Sequence, residues 1–297
     1  MNALTLSVEL SAAAAATMPR RRLLQAYLAE AKYESIRALR APGFAIPFLL
    51  LPIALYTLFG ILLAGSMSHG DPTLAKIMFV NWSVFGVMGP GMFGFGLFVA
   101  QERDHGLLTL KRALPMPPAA YLLAKMFMTM MFAAIIVVTL IVPALTLGHV
   151  RLGLGQVLAI SLIDILGSLP FCAFGLFIGT RASSKSAPAF VNLAYLPMMH
   201  LGGLFYPLPR SVQPVEFLSP AFYLDKLALR VAGAPNLDQL ATGAAGPSSH
   251  GSPLLYAAVL AAVTLLFGAL AIRRLAGGAR QKAARRVERS VALASQA

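Results

Sequence analysis

Charge is scarce in this chain. Only 12% of its 297 residues are Asp, Glu, Lys or Arg, against about 25% in an ordinary soluble domain. With 58% hydrophobic residues, too little polar surface remains to clothe a soluble fold. Cysteine is nearly absent. Cys172 stands alone inside an apolar run, which excludes an internal disulfide and a cysteine metal cluster and leaves a small packing residue. Catalytic signatures are missing too. There is no GxxxxGK(S/T) loop to cradle a nucleotide's phosphates, no HExxH and no GxSxG. The histidines His69, His105, His149, His200 and His250 are scattered, and only His200 falls in an apolar run, as a packing residue. Nothing converges on an acid–base pair or a metal, so the chain is expected to be no enzyme and to hold no cofactor or metal.

Long apolar runs are what the sequence has instead. Six reach the length that crosses a hydrocarbon core of roughly 30 Å, at about 44–64, 77–99, 119–147, 155–179, 187–206 and 254–272. The fold class they define is an all-α polytopic membrane protein. The basic residues set its orientation. Of 24 lysines and arginines, only Lys76, Arg151, Arg210, Lys226 and Arg230 lie on one set of alternate segments, and the other 19 lie on the opposite set. The positive-inside rule then puts both termini in the cytosol. The net charge of +13 reads as topology signals and contacts with anionic lipid rather than as a nucleic-acid surface. Residues 1–19 read as a mobile extension, since the short apolar stretch precedes the arginines instead of following them as in a signal peptide. Residues 20–275 form the membrane domain, and 276–297 a basic cytosolic tail.

Residues 20–40 place Leu24, Tyr27, Leu28, Ala31, Ser35, Ala38 and Leu39 on one helical face and Gln25, Glu30, Lys32, Arg37 and Arg40 on the other. That stripe predicts a helix in the cytosolic interface, its arginines toward lipid phosphates. The second span carries Gly86, Gly89, Gly91, Gly94 and Gly96 around Pro90, which predicts close helix packing and a kink. Gly175 and Gly179 give the fourth span a small-xxx-small pattern. Between the last two spans, residues 215–231 are half apolar but too short to cross, as expected of a re-entrant-like hairpin at the outer leaflet. Residues 236–252 are Gly/Ser/Ala-rich and read as flexible.

Asp164 is the acid inside a span. An intramembrane carboxyl is costly and is a functional candidate by default. It reads either as a contact for a cationic substrate or a proton carrier, or as a packing carboxyl held by Ser161 or Ser168. With Asn192, Tyr195 and Met199 it makes the candidate substrate pathway.

The charged loop 101–118, QERDHGLLTLKRALPMPP, lies between two spans. Glu102, Arg103, Asp104, Lys111 and Arg112 cannot enter lipid, so the loop faces water. Gly106 permits a sharp turn after the span. Leu107, Leu108, Leu110 and Leu114 give a short helix an apolar face. Pro115, Pro117 and Pro118 end that helix and stiffen its link to the next span.

This loop resembles the signature of type-2 ABC exporter permeases, E-R-E-x-G-T-L-x-x-L-(R/K)-A-x-P followed by a tyrosine and a lysine. Glu102, Arg103, Gly106, Leu108, Arg112, Ala113, Pro115, Tyr121 and Lys125 match. Asp104 is conservative, Leu107 replaces threonine, and Lys111 stands where leucine is usual. Arg40-Ala-Pro42-Gly43 resembles the family's R-(D/N)-P segment. Gly202 to Pro209, Ser219-Pro220 and Asp225 to Arg230 resemble its S-G-x-x-(F/Y)-P…P…D-x-x-R segment. The resemblance implies a six-helix permease in a bacterial inner membrane. Loop 101–117 would carry a coupling helix seated in a separate ABC ATPase subunit, which binds ATP and Mg. Glu102, Arg103, Asp104, Gly106, Leu108, Lys111, Arg112 and Pro115 would make the ATPase coupling. Two permease copies would pass a hydrophobic or amphipathic small molecule or lipid outward. The alternative is a proton-coupled secondary transporter using Asp164, whose usual internal repeat is not visible here.

Overall fold

The computed structural model describes residues 20–67, 71–108, 118–209, 211, 213–241 and 251–294, and side chains at all of these except 20, 67, 118–120, 213 and 275–294. The extension 1–19 lies outside them. Among the described residues every regular element is a helix. In chain order these are α1 (Arg20–Leu39), α2 (Pro42–Leu55), a π-helical stretch Tyr56–Leu63, α3 (Ala64–Met67), α4 (Pro72–Asp104), α5 (Pro118–Thr146), α6 (Leu154–Gly167), α7 (Leu169–Gly179), α8 (Ala187–Leu201), α9 (Gln213–Glu216), α10 (Pro220–Ala232), α11 (Leu237–Ala241) and α12 (Pro253–Ala294).

Local chemistry sets the boundaries. Pro42, Pro72 and Pro220 open their helices at the first turn, where a missing N–H costs nothing. Asp71 caps α4 by accepting from Thr73 N at 2.8 Å. Ser168 and Pro170 interrupt the apolar run 154–179 and divide it into α6 and α7.

Helix α4 is the hub, and it runs unbroken through Pro90. Its glycines admit close neighbours from the surrounding helices. Gly89 lies against Phe48 of α2, Gly86 against Ile136 of α5, Gly91 against Phe171 of α7 and Gly96 against Val191 of α8. The α7 pattern meets α4 as expected. A Cβ on Gly175 would stand 2.4 Å from Met92 O, and one on Gly179 would stand 2.8 Å from Gly96 O. Bare backbones pack here because small residues let helices approach where lipid supplies no hydrophobic drive. Helix α12 closes the bundle over α7, with Phe267 4.6 Å from Phe174 and 5.1 Å from Phe177 between ring centres.

Among the described residues, five helical stretches are long and apolar enough to cross a membrane: Pro42–Ser66, Pro72–Asp104, Tyr121–Thr146, Leu154–Gly179 and Pro253–Arg274. The remaining expected span, 187–206, differs. Its helix α8 has 15 residues, a rise of roughly 22 Å. The chain nevertheless follows α4 from one end to the other. Ser184 N donates to Asp104 Oδ2 at 2.6 Å, Val191 meets Gly96, Tyr195 Oη donates to Phe85 O at 3.4 Å, and Asn81 Nδ2 donates to Leu204 O at 2.5 Å. The stretch of α4 from 104 to 81 rises about 35 Å.

Three other expectations change. Helix α1 packs on α5 and turns Ala31, Glu34, Ser35 and Ala38 inward, while Leu24 and Leu28 of the apolar stripe are exposed. The Gly/Ser-rich stretch begins as a helix, because Asn236 and Gln239 cap one another (Gln239 N to Asn236 Oδ1, 2.9 Å; Asn236 N to Gln239 Oε1, 3.2 Å). Residues 242–250 lie outside the described part. The basic tail continues α12 as one helix to Ala294, since its alanines and arginines are strong helix formers.

Candidate functional site

Where α1, α4 and α5 meet, three charges and a phenol are packed together out of water, with a fourth charge, the half-exposed Arg37, at their edge. Glu102, in the last turn of α4, is fully buried, as are Lys125 of α5 and nearly all of Glu34 of α1. Lys125 Nζ donates to Glu102 Oε1 at 3.1 Å and also bonds Glu34 Oε1. Arg37 Nη1 bonds the same Glu102 oxygen, and Tyr121 Oη donates to Glu102 Oε2 at 2.6 Å. Two carboxylates face two cations, so the cluster is neutral, and Glu102 has both oxygens bonded. The cations also lie over the Phe98 ring, Arg37 at 5.0 Å and Lys125 at 5.4 Å from its centre. Burial by itself would lower the Arg37 pKa. The bond to Glu102 and the charges of Glu102 and Glu34 outweigh it and leave the value raised, so the guanidinium stays charged.

One residue on, the chain stitches α4 to the α7–α8 connection. Arg103 donates to Ala182 O at 2.6 Å and to Gly179 O at 3.3 Å, satisfying carbonyls left open at the end of α7. Asp104 Oδ1 accepts from Arg103 at 3.0 Å, and Oδ2 accepts from Ser184 N. Three consecutive residues thereby join α4 to α1, α5, the end of α7 and the segment that leads into α8. Gly106 follows at φ +75°, with nothing within 4 Å of a Cβ there, so the turn is a demand of the backbone alone. Leu107 and Leu108 begin a helical turn, and Leu108 packs beside Tyr121, Leu176 and Val99.

Sequence alone offers Glu102, Arg103 and Asp104 to the charges of a partner. The structure places Glu102 wholly inside the chain and turns Arg103 and Asp104 largely onto it. Lys111, Arg112 and Pro115 lie outside the described residues. The arginine read as facing lipid phosphate, Arg37, is bonded to Glu102. Glu34 was missed, although two signals pointed to it: the Glu34–Arg37 pair one turn apart, and the Tyr121–Lys125 pair one turn apart on a helix that is otherwise apolar.

The candidate pathway residues do not form one site. Asn192 is exposed on α8, and Tyr195 is half-buried with its ring 5.5 Å from Phe93. Met199 is half-buried against the core, one turn further along the same face of α8. Asp164 is fully buried on α6, apart from them. A cavity of about 320 Å³ lies elsewhere, lined by Tyr56, Gly60, Asp71, Ala75, Gly148 and His149 among others.

A bundle whose described residues form five membrane-length helices, with a charge cluster at one end, is a multi-pass membrane protein. The comparisons supply its family. The ABC-2 type transporter family matches residues 25–229, more than half of the chain, and the protein belongs to that family of transport permeases. It is 25% identical over 193 residues to "Putative transport permease YvfS" of Bacillus subtilis (strain 168), an alignment covering 64% of this chain and 78% of that protein.

Proposed function

We propose that this chain is the membrane subunit of an ABC-type exporter, moving a hydrophobic or amphipathic molecule outward while a separate ABC ATPase subunit binds ATP and Mg and hydrolyses the nucleotide. The observation that carries this is the join at Glu102–Asp104, where the root of a water-facing loop is fixed to α1, α5, the end of α7 and the segment leading into α8 at once. A push on loop 101–118 is then passed to α4, α1, α5 and α7, because the buried ion pairs resist local slippage and Gly106 sets the direction of the loop. In this reading Gly106, Leu108, Lys111, Arg112 and Pro115 meet the ATPase, while Glu102, Arg103 and Asp104 transmit from behind.

The path of α8 along α4 supports six crossings, and with the lopsided distribution of basic residues it supports both termini in the cytosol of a bacterial inner membrane. Two copies, identical or paired with a related chain, enclose the route, with Asn192, Tyr195 and Met199 along it. The test is co-purification of the chain with its ATPase subunit and ATP-driven transport in vesicles. Gly106→Pro is expected to abolish both at normal membrane insertion. Transport that persists without any ATPase, driven by a proton gradient and lost in Asp164→Asn, would replace this reading with the secondary transporter that the buried Asp164 favours.

A further inference from the structure

Asp164 on α6 and Asp225 on α10 are both fully buried, on two helices that pack against each other. There Leu224 fills the space over Gly167, with its Cδ1 2.2 Å from where a Cβ would stand, and the charge of Asp225 reaches Asp164. Neither oxygen of either carboxyl has a hydrogen-bond partner. Ser83 of α4 lies beside Asp164, but its hydroxyl is bonded to Val80 O at 2.8 Å. The nearest cation is Lys226, whose Nζ is 3.7 Å from Asp225 Oδ2. Glu216 of α9, itself pushed up to about 7 by burial, and the acidic Asp238 of α11 lie within electrostatic reach of Asp225. Helix α6 brings Gln156, which is bonded to Val231 O at 3.0 Å, and α12 brings the neutral Tyr256.

A carboxylate without donors in a low-dielectric site favours its neutral form, and two carboxyls sharing such a site retain a proton between them. We propose that Asp164 and Asp225 form a proton-binding site that fastens the outer hairpin, residues 213–241, onto α6. With one proton held, the hairpin is docked as seen. When both carboxyls ionise, the proton leaves to the outer water, like charges repel, each carboxylate seeks hydration, and the Gly167–Leu224 contact opens. Closure takes the proton back. Burial pushes Asp225 up to about 6 against the pull of Lys226, which places the change in the neutral range. The proposal stands apart from the ATPase reading, because its readout needs no partner.

The experiment uses the full chain in proteoliposomes, with Cys172→Ser removing the native thiol and Ala228→Cys on the buried face of α10 as reporter. Maleimide labelling is followed from about pH 5 to about pH 8, each rate divided by that of the denatured protein at the same pH. The parent is expected to label about tenfold faster at the upper end, the effect of one pK unit. Asp164→Asn, Asp225→Asn and the double variant each leave at most one negative charge in the pair, so each is expected to stay at the slow rate throughout. Glu216→Gln is expected to behave as the parent. A flat parent profile, a rise that survives in the asparagine variants, or a rise lost in Glu216→Gln would overturn the proposal.

Discussion

Glu102 accepts from Lys125 and Tyr121 and is paired with Arg37, so its worth lies in balance rather than in exposure. Removing one member of a buried ion cluster strands the others out of water and costs on the order of 3–5 kcal/mol. Glu102→Gln and Lys125→Met are each expected to lower the melting temperature of the detergent-solubilised protein sharply. The double variant keeps Glu34 and Arg37, 3.7 Å apart, and restores neutrality. It is expected to melt above either single variant, and a double variant that melts below both would show that the charges do not act as one unit. The residues of this cluster were legible in the sequence, but their direction was not. Acid and base content near a loop reads as a wetted surface, and only the fold shows that α1 lies over the end of α4 and removes Glu102 and Lys125 from water.

At the scale of elements, two glycines make opposite demands. Gly106 needs its φ of +75° and has open space, so a side chain is penalised through the backbone by about 1–2 kcal/mol. Gly106→Ala should leave insertion and melting nearly unchanged while lowering the amount of ATPase subunit recovered with the chain. Equal recovery would separate the turn from coupling. Gly175 has an ordinary helical backbone and no space, with Met92 O 2.4 Å from its absent Cβ. Gly175→Ala forces α7 away from α4 and should cost about 1–3 kcal/mol by overpacking, read as a lower melting temperature with coupling to the ATPase intact. The glycine pattern was visible in sequence because small-residue spacing reports directly on helix approach. The α1 wheel divides the helix into two faces, but a helix lying on other helices, with lipid or water beside it, presents more than two environments, so one stripe holds both the buried Ala31 and Ala38 and the exposed Leu24 and Leu28.

For the whole molecule, apolar run length yields the class and five of the helices. It misjudges the segment at 187–206, because hydropathy continues past Leu201 after the helix has ended and the chain completes its path along α4 in a turn tied by Asn81. The docking of the hairpin on α6 was unreadable, since nothing local in Gly167 or Leu224 announces that they meet. Whether α8 crosses the bilayer decides the orientation of everything after it. In a Cys172→Ser background, Lys185→Cys and Ser211→Cys flank α8 at exposed positions. In intact cells a membrane-impermeant maleimide is expected to label position 211 and to reach 185 only after lysis. Labelling of both positions in intact cells, or of neither, would return α8 to the side it entered from. The basic C-terminal stretch of α12 would then lie opposite the N-terminus, and a chain with 19 of its 24 basic residues assigned to one face would have to violate the charge rule that orients membrane helices.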